Sequence, residues 1–135
     1  MSEKRMQDQF TIAVVDDNPA ILKLVAKILC RQGYRVLEAG CGAEALDAAA
    51  QHYRAVDLLL TDVDMPGMDG VSLSREVRER WPGTKVVFMS GGATPDRVGG
   101  EPFLSKPFAL RELMTLVDDC LHSSRLACRA VGVSP

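Results

Sequence analysis

Membrane-length apolar runs, a surplus of one charge and paired metal-binding cysteines are all missing from this 135-residue sequence. Its longest hydrophobic stretches fall well short of the roughly 20 residues that cross a bilayer. The opening MSEKRMQDQF lacks the apolar core of a signal peptide. A cytoplasmic location without membrane contact is the expectation. Sixteen basic residues against eighteen acidic ones give a formal charge of −2, without the basic excess of a nucleic-acid-binding surface. Cys30, Cys41, Cys120 and Cys128 form no CxxC pair, and His52 and His122 are not spaced as companions for zinc. The thiols therefore read as reduced and structural. What remains is an ordinary globular composition, 47% hydrophobic and 25% charged, at a length that suits one domain with its own core.

Two periods alternate from residue 10 to residue 121. FTIAVVDD is a short apolar run ending in acid, the pattern of a strand buried on both faces. NPAILKLVAKILCRQG follows with a cap residue, Asn18, a proline at the first helical position and a closing Gly33. Its Ile21, Leu22, Val25, Ile28 and Leu29 fall on one helical face. YRVLEA reads as a second strand, GAEALDAAAQHY as a helix, AVDLLLT as a third strand and GVSLSREVRERW as a third helix. KVVFMS is the fourth strand, and EPFLSKP holds a short fifth with Pro102 at its start, where a missing N–H is tolerated. ALRELMTLVDDCLH is the last helix. The segment GGATPDRVGG between strands four and five has room for at most a turn or two. Strands separated by helices imply parallel pairing, hence a doubly wound α/β sheet. Residues 1–9 and 122–135 read as tails around a single domain, 10–121.

In such a sheet, ligands bind outside the carboxyl ends of the strands. Strand one ends in Asp16-Asp17, strand three in Asp62, strand four in Ser90 and strand five in Ser105-Lys106. At an effective dielectric near 20, two carboxylates about 4 Å apart repel by roughly 4 kcal/mol. Three acids at one edge need more than one lysine to offset them. Hard oxygen donors without histidine or thiol suit Mg2+ or a similar ion, which prefers to share a phosphate ligand. A cation, a lysine and a hydroxyl converging on a carboxylate can stabilise a transferring phosphoryl group, with Asp62 as the nucleophile.

These residues resemble a known family, the receiver domains of two-component response regulators. VVDDNPAI, LLLTDVDMPGMDGVSL, VVFMSG and FLSKPF stand in the family's order and near its spacing, from about Ile12 to Leu121. The resemblance implies a flavodoxin-like, five-stranded parallel sheet of order 2-1-3-4-5. It implies a phosphorylatable switch rather than a turnover enzyme, taking its phosphoryl group from a histidine kinase and signalling to a downstream protein. Asp62 is then the phosphoacceptor. Asp17 binds Mg2+ directly, Asp16 helps to hold it, and the backbone carbonyl of Asp64 completes the site. Lys106 pairs with the phosphoryl oxygens, and Lys106–Pro107 is the family's cis peptide. Ser90 moves onto the phosphoryl group and Phe103 follows it, so that added charge and acceptor oxygens shift the surface around strands four and five.

The sequence departs from the pattern twice. Ser90 and Lys106 are only 16 positions apart (106 − 90), so the fourth helix is shortened or irregular. In the family that helix contributes to a dimer surface, and a monomer or weak dimer is the expectation here. Gly91-Gly92 follow Ser90, and Gly92 has no side chain to shield a phosphoryl group from water.

Simpler readings compete residue by residue. Asp62 alone would be a turn-capping acid, but three other charged residues reach the same edge. Asp69 keeps the turn reading, since Asp-Gly suits a tight turn. Asp47, Asp57, Asp118 and Asp119 read as solvated charges, and Arg75 to Arg80 as the polar face of a helix with Trp81 covering its end. Two other functions share some of these residues. LLLTDVD fits the nucleophile motif of haloacid-dehalogenase-type phosphatases, with Asp62 attacking and Asp64 as general acid, although that family usually opens with it. A DNA-binding regulator would need more than the 14 residues after Leu121 (135 − 121). A receiver within a hybrid kinase, or a protein-binding module that works without phosphorylation, would look the same.

Overall fold

The computed structural model describes residues 10–52, 55–92 and 98–123. Its elements are β1 (Thr11–Val15), α1 (Pro19–Arg31), β2 (Arg35–Ala39), α2 (Gly42–Gln51), β3 (Leu58–Asp62), α3 (Gly70–Arg80), β4 (Lys85–Ser90), β5 (Phe103–Ser105) and α4 (Leu110–Asp118). A π-helical turn, Asp119–Ser123, extends α4. The five strands form one parallel sheet of order β2-β1-β3-β4-β5. Both ends expected as tails lie largely outside the described residues, as do residues 93–97, within the segment expected to hold the shortened helix.

The central strands are apolar throughout because each face of the sheet has its own core. Alternate residues point to opposite sides. Ala13, Val15, Leu59, Val86 and Phe88 pack against Ala45 and Ala49 of α2 and Leu73 and Val77 of α3. Ile12, Val14, Leu58, Leu60, Val87 and Met89 pack against Val25 and Leu29 of α1 and Leu113 and Val117 of α4. Each connection therefore returns the chain to the same edge, where the strands' carboxyl ends lie.

Helix boundaries follow local chemistry. The Asn18 side chain accepts hydrogen bonds from the amides of Ala20 and Ile21, and Pro19 occupies the first helical position. Gly33, at φ 97°, takes the left-handed position after the helix, where a Cβ would be strained. Asp69 is more than a turn former: it caps α3, its side chain accepting from the Ser72 amide at 2.8 Å.

Two acids expected as solvated charges have structural partners. The Asp57 carboxylate accepts from the first amide of β1, Thr11 N, at 2.7 Å. Asp118 accepts from the Tyr34 hydroxyl at 2.7 Å and lies 3.7 Å from His122 Nε2. Arg78, within the expected polar face of α3, forms an ion pair with Glu101 at 2.7 Å. Trp81 is half-buried at the end of α3 and packs on the core there. Cys30, Cys41 and Cys120 are free thiols, and burial pushes the Cys120 thiol up.

Candidate functional site

Asp16 follows directly after β1, and its backbone N–H still bonds across to Ala39 O, so the residue is held as if the strand continued. Its side chain is buried and fully engaged: Oδ1 accepts from the Asn18 amide at 2.9 Å and Oδ2 from Lys106 Nζ at 2.8 Å. Asp17, one residue on, faces solvent. Asp62 is the last residue of β3, paired in register with Met89, and only 7% of it is exposed. Lys106 Nζ lies 3.4 Å from Asp62 Oδ2, so one ammonium bridges two carboxylates from separate strands. Oxygens of Asp16, Asp17 and Asp62 all lie within 4.8 Å of one another.

The lysine reaches this place because its backbone is tied to β4: Lys106 N–H donates to Ser90 O at 2.8 Å. The peptide bond after it, Lys106–Pro107, is cis. Above the carboxylates opens a cavity of about 740 Å³, lined by Asp16, Asp17, Asn18, Pro19, Ile21, Asp62, Asp64, Gly91, Gly92 and Lys106.

Electrostatics in this corner are opposed. Burial pushes the Asp62 carboxyl up to about 6; Lys106 works against that shift, while Asp16 and Asp17 add to it. Burial alone would lower the Lys106 ammonium, but the hydrogen bond and charge of Asp16, with Asp62 behind them, leave it raised. The lysine therefore stays charged while the cluster carries an excess of negative charge. Three carboxylates with hard oxygens and no nitrogen or sulfur donor form a donor set that fits a Mg2+-like ion.

Asp16, Asp17, Asp62, Asp64 and Lys106 thus meet around one opening. Ser90 and Phe103 do not line it. Ser90 is buried, with its hydroxyl donating to Gly92 O at 2.9 Å and accepting from Gly92 N at 3.0 Å. Phe103 is half-buried, opposite Phe88 in the β4–β5 register, and packs on the α2–α3 side of the core. The sequence reading left out the Asn18 amide, which orients Asp16. The signal was present in the Asp-x-Asn spacing, since an Asp side chain commonly accepts from the amide two residues on.

Comparison with known proteins is consistent in sequence and in shape. Over 118 residues the chain is 38% identical to the sensor kinase CckA of Brucella abortus, covering 83% of this chain and 12% of that protein. It is 36% identical over 119 residues to the transcriptional regulatory protein GlrR of Escherichia coli, covering 84% of this chain and 26% of that one. The chain therefore spans only a minor part of these relatives. Among solved structures, the receiver domain of the hybrid histidine kinase CckA matches with a TM-score of 0.73 at 37% identity, over 83% of this chain and 99% of that one. A CheY-like receiver from Methanospirillum hungatei matches with a TM-score of 0.77 at 27% identity, over 87% and 98%. The phosphatase alternative has no support in these matches. Residues 12–118 match the response regulator receiver domain family, and with a sheet in that family's strand order and acids at its carboxyl edge, the chain belongs to it.

Proposed function

We propose that the domain spanning residues 10–121 is a phosphorylation switch, accepting a phosphoryl group onto Asp62 from a histidine kinase in a Mg2+-dependent reaction. The observation that carries this reading is the Lys106 bridge between Asp16 and Asp62, with Asp17 beside them at the rim of an open cavity. Asp16, Asp17 and Asp62, with the backbone carbonyl of Asp64, would hold the metal. Bound there, it supplies positive charge against both the carboxylates and the incoming phosphoryl oxygens.

In the transfer, an Asp62 carboxylate oxygen forms a bond to phosphorus as the bond from phosphorus to the donor imidazole nitrogen breaks. The imidazole leaves with the bonding pair and takes up a proton. An Asp62 acid group near 6 is mostly ionised at neutral pH and ready to attack. Lys106 gives up part of its contact with Asp16 to meet a phosphoryl oxygen. Ser90 reaches another oxygen by releasing both hydrogen bonds to Gly92, and Phe103 moves into the space beside it. The output is a changed β4–β5 surface read by a downstream protein. The chain acts as a phosphoacceptor, with self-phosphorylation and self-dephosphorylation as its own chemistry. It works in the cytoplasm as a monomer or weak dimer, alone or as part of a longer kinase, without nucleic acid or membrane contact of its own.

Intact mass after incubation with acetyl phosphate and Mg2+ tests the reading. One phosphoryl group is expected on the wild-type chain, dependent on Mg2+ and absent from Asp62→Asn. An adduct that persists in Asp62→Asn counts against it. So does a wild-type chain without adduct whose Ser90 and Phe103 resonances stay fixed in beryllium fluoride.

A further inference from the structure

We propose that Gly70 is a positioning residue for Asp62: the first residue of α3 sets the height of the phosphoacceptor against the other two carboxylates. This inference rests on the reading of Asp62 as the phosphoacceptor. The end of β3 is fixed by its neighbours. Thr61 Oγ1 donates to Asp62 O at 3.0 Å, Val63 N–H donates to Met89 O at 2.9 Å, and Val63 O accepts from Gly70 N–H at 2.8 Å. The last of these bonds draws the start of α3 directly onto the Asp62 peptide.

Gly70 is buried, and its φ is not among the positive ones, so no dihedral requirement calls for glycine. Proximity does. A Cβ there would overlap the Asp62 carbonyl oxygen and sit 3.0 Å from the Asp62 carbonyl carbon and 3.1 Å from Val63 Cα. All three are backbone atoms of the β3 end, so no flexible side chain can swing aside. By contrast, a Cβ on Gly83, three residues beyond the other end of α3, meets nothing within 4 Å.

A methyl at Gly70 must therefore move the Asp62 peptide, the first turn of α3, or both. The Asp62 Cα is one bond from the carbonyl carbon that is pushed. Asp16 and Asp17 follow β1 and Lys106 follows β5, so they are not carried along with it, and Lys106 senses the change through its 3.4 Å contact with Asp62. Metal and phosphoryl geometry tolerate only about 0.5 Å of such displacement. Any shift of the β3 end is thus read out at the carboxylate triangle before it is read out in the core.

The experiment compares Mg2+ binding, by calorimetry, with amide spectra of the metal-free full chain for wild type, Gly70→Ala and Gly83→Ala. Gly70→Ala is expected to raise the Mg2+ dissociation constant about tenfold and to move the Val63 and Lys106 amide resonances. Gly83→Ala should do neither. A folded Gly70→Ala chain with the wild-type dissociation constant and an unmoved Lys106 resonance overturns the inference. If Gly70→Ala does not fold, Asp69→Ala and Asp69→Asn replace it. Both lose the same charge, but only alanine loses the cap that holds the first turn of α3. A larger rise in the dissociation constant for alanine supports the inference, and equal values overturn it. Should the wild-type chain bind no Mg2+ at all, the proposed Mg2+-dependent switch fails separately, and the positioning role is decided by the Val63 and Lys106 resonances alone.

Discussion

Asp62 sits where burial and three neighbouring charges pull in different directions, and this makes its protonation a term in folding. Its carboxyl is raised from 3.8 to about 6, chiefly by burial, with Asp16 and Asp17 adding to the effect and Lys106 limiting it. A folded-state pKa above the unfolded one means that the folded chain binds the proton more tightly. The resulting stabilisation is complete below pH 3.8 and is lost as pH rises through about 6. With partial solvent screening allowed for, the loss is about 1–2 kcal/mol. Asp62→Asn has no such charge to bury. Urea unfolding in EDTA should therefore show the asparagine variant gaining about that much over wild type between pH 4.5 and 7.5. A pH-independent gap would mean that Lys106 fully offsets the burial. The carboxylates and Lys106 were legible in sequence as residues at strand ends, while the order of their contacts was not. Acid at the end of an apolar strand is anomalous and draws notice. The choice of Lys106 to bond Asp16 more closely than Asp62, 2.8 Å against 3.4 Å, depends on where two distant strand ends come to rest.

Elements were legible wherever the local chemistry and the tertiary role agree. Both-face burial produces the continuous runs TIAVV and LLLTD, and a cap, a proline and a left-handed glycine delimit α1. Removing the cap with Asn18→Ala should lower stability by about 1 kcal/mol in urea unfolding, with Asn18→Ser largely retaining it. Asp57 shows the opposite case. Nothing near it in sequence marks a partner, because the amide it accepts from is 46 positions away. Read as a solvated charge, it proves to bond the first amide of β1, on a residue that is itself fully buried. Asp57→Ala leaves that amide without its acceptor and should cost about 1–3 kcal/mol. Asp57→Asn keeps a carbonyl oxygen in place and should cost less. Equal losses would show that the charge matters and the hydrogen bond does not. Ser90 is a related case: a hydroxyl beside two glycines has its own backbone within reach, and it bonds there.

At the scale of the molecule, the sheet separates two cores that, among the described residues, share no side chain. Val77 of α3 is buried on one side and Val117 of α4 on the other, each with 2% exposure or less. Truncating either to alanine removes two methyl groups and should cost about 2 kcal/mol, from lost transfer energy plus the residual cavity. Because β1, β3 and β4 stand between them, the double variant should lose the sum of the two within about 0.5 kcal/mol, as read from urea midpoints at constant slope. This additivity bears on signalling as well as stability. If the two cores are independent, a change at Asp62 has no packed route through the sheet to the far layer. In the proposed switch its effects would then travel along the carboxyl edge, through Lys106 to the β5 end and through Ser90 to Gly92. A coupling well above that limit would instead mean that the sheet transmits strain between layers. Substitutions in the α1–α4 core would then alter the proposed response to phosphorylation as readily as substitutions at the proposed switch residue Ser90.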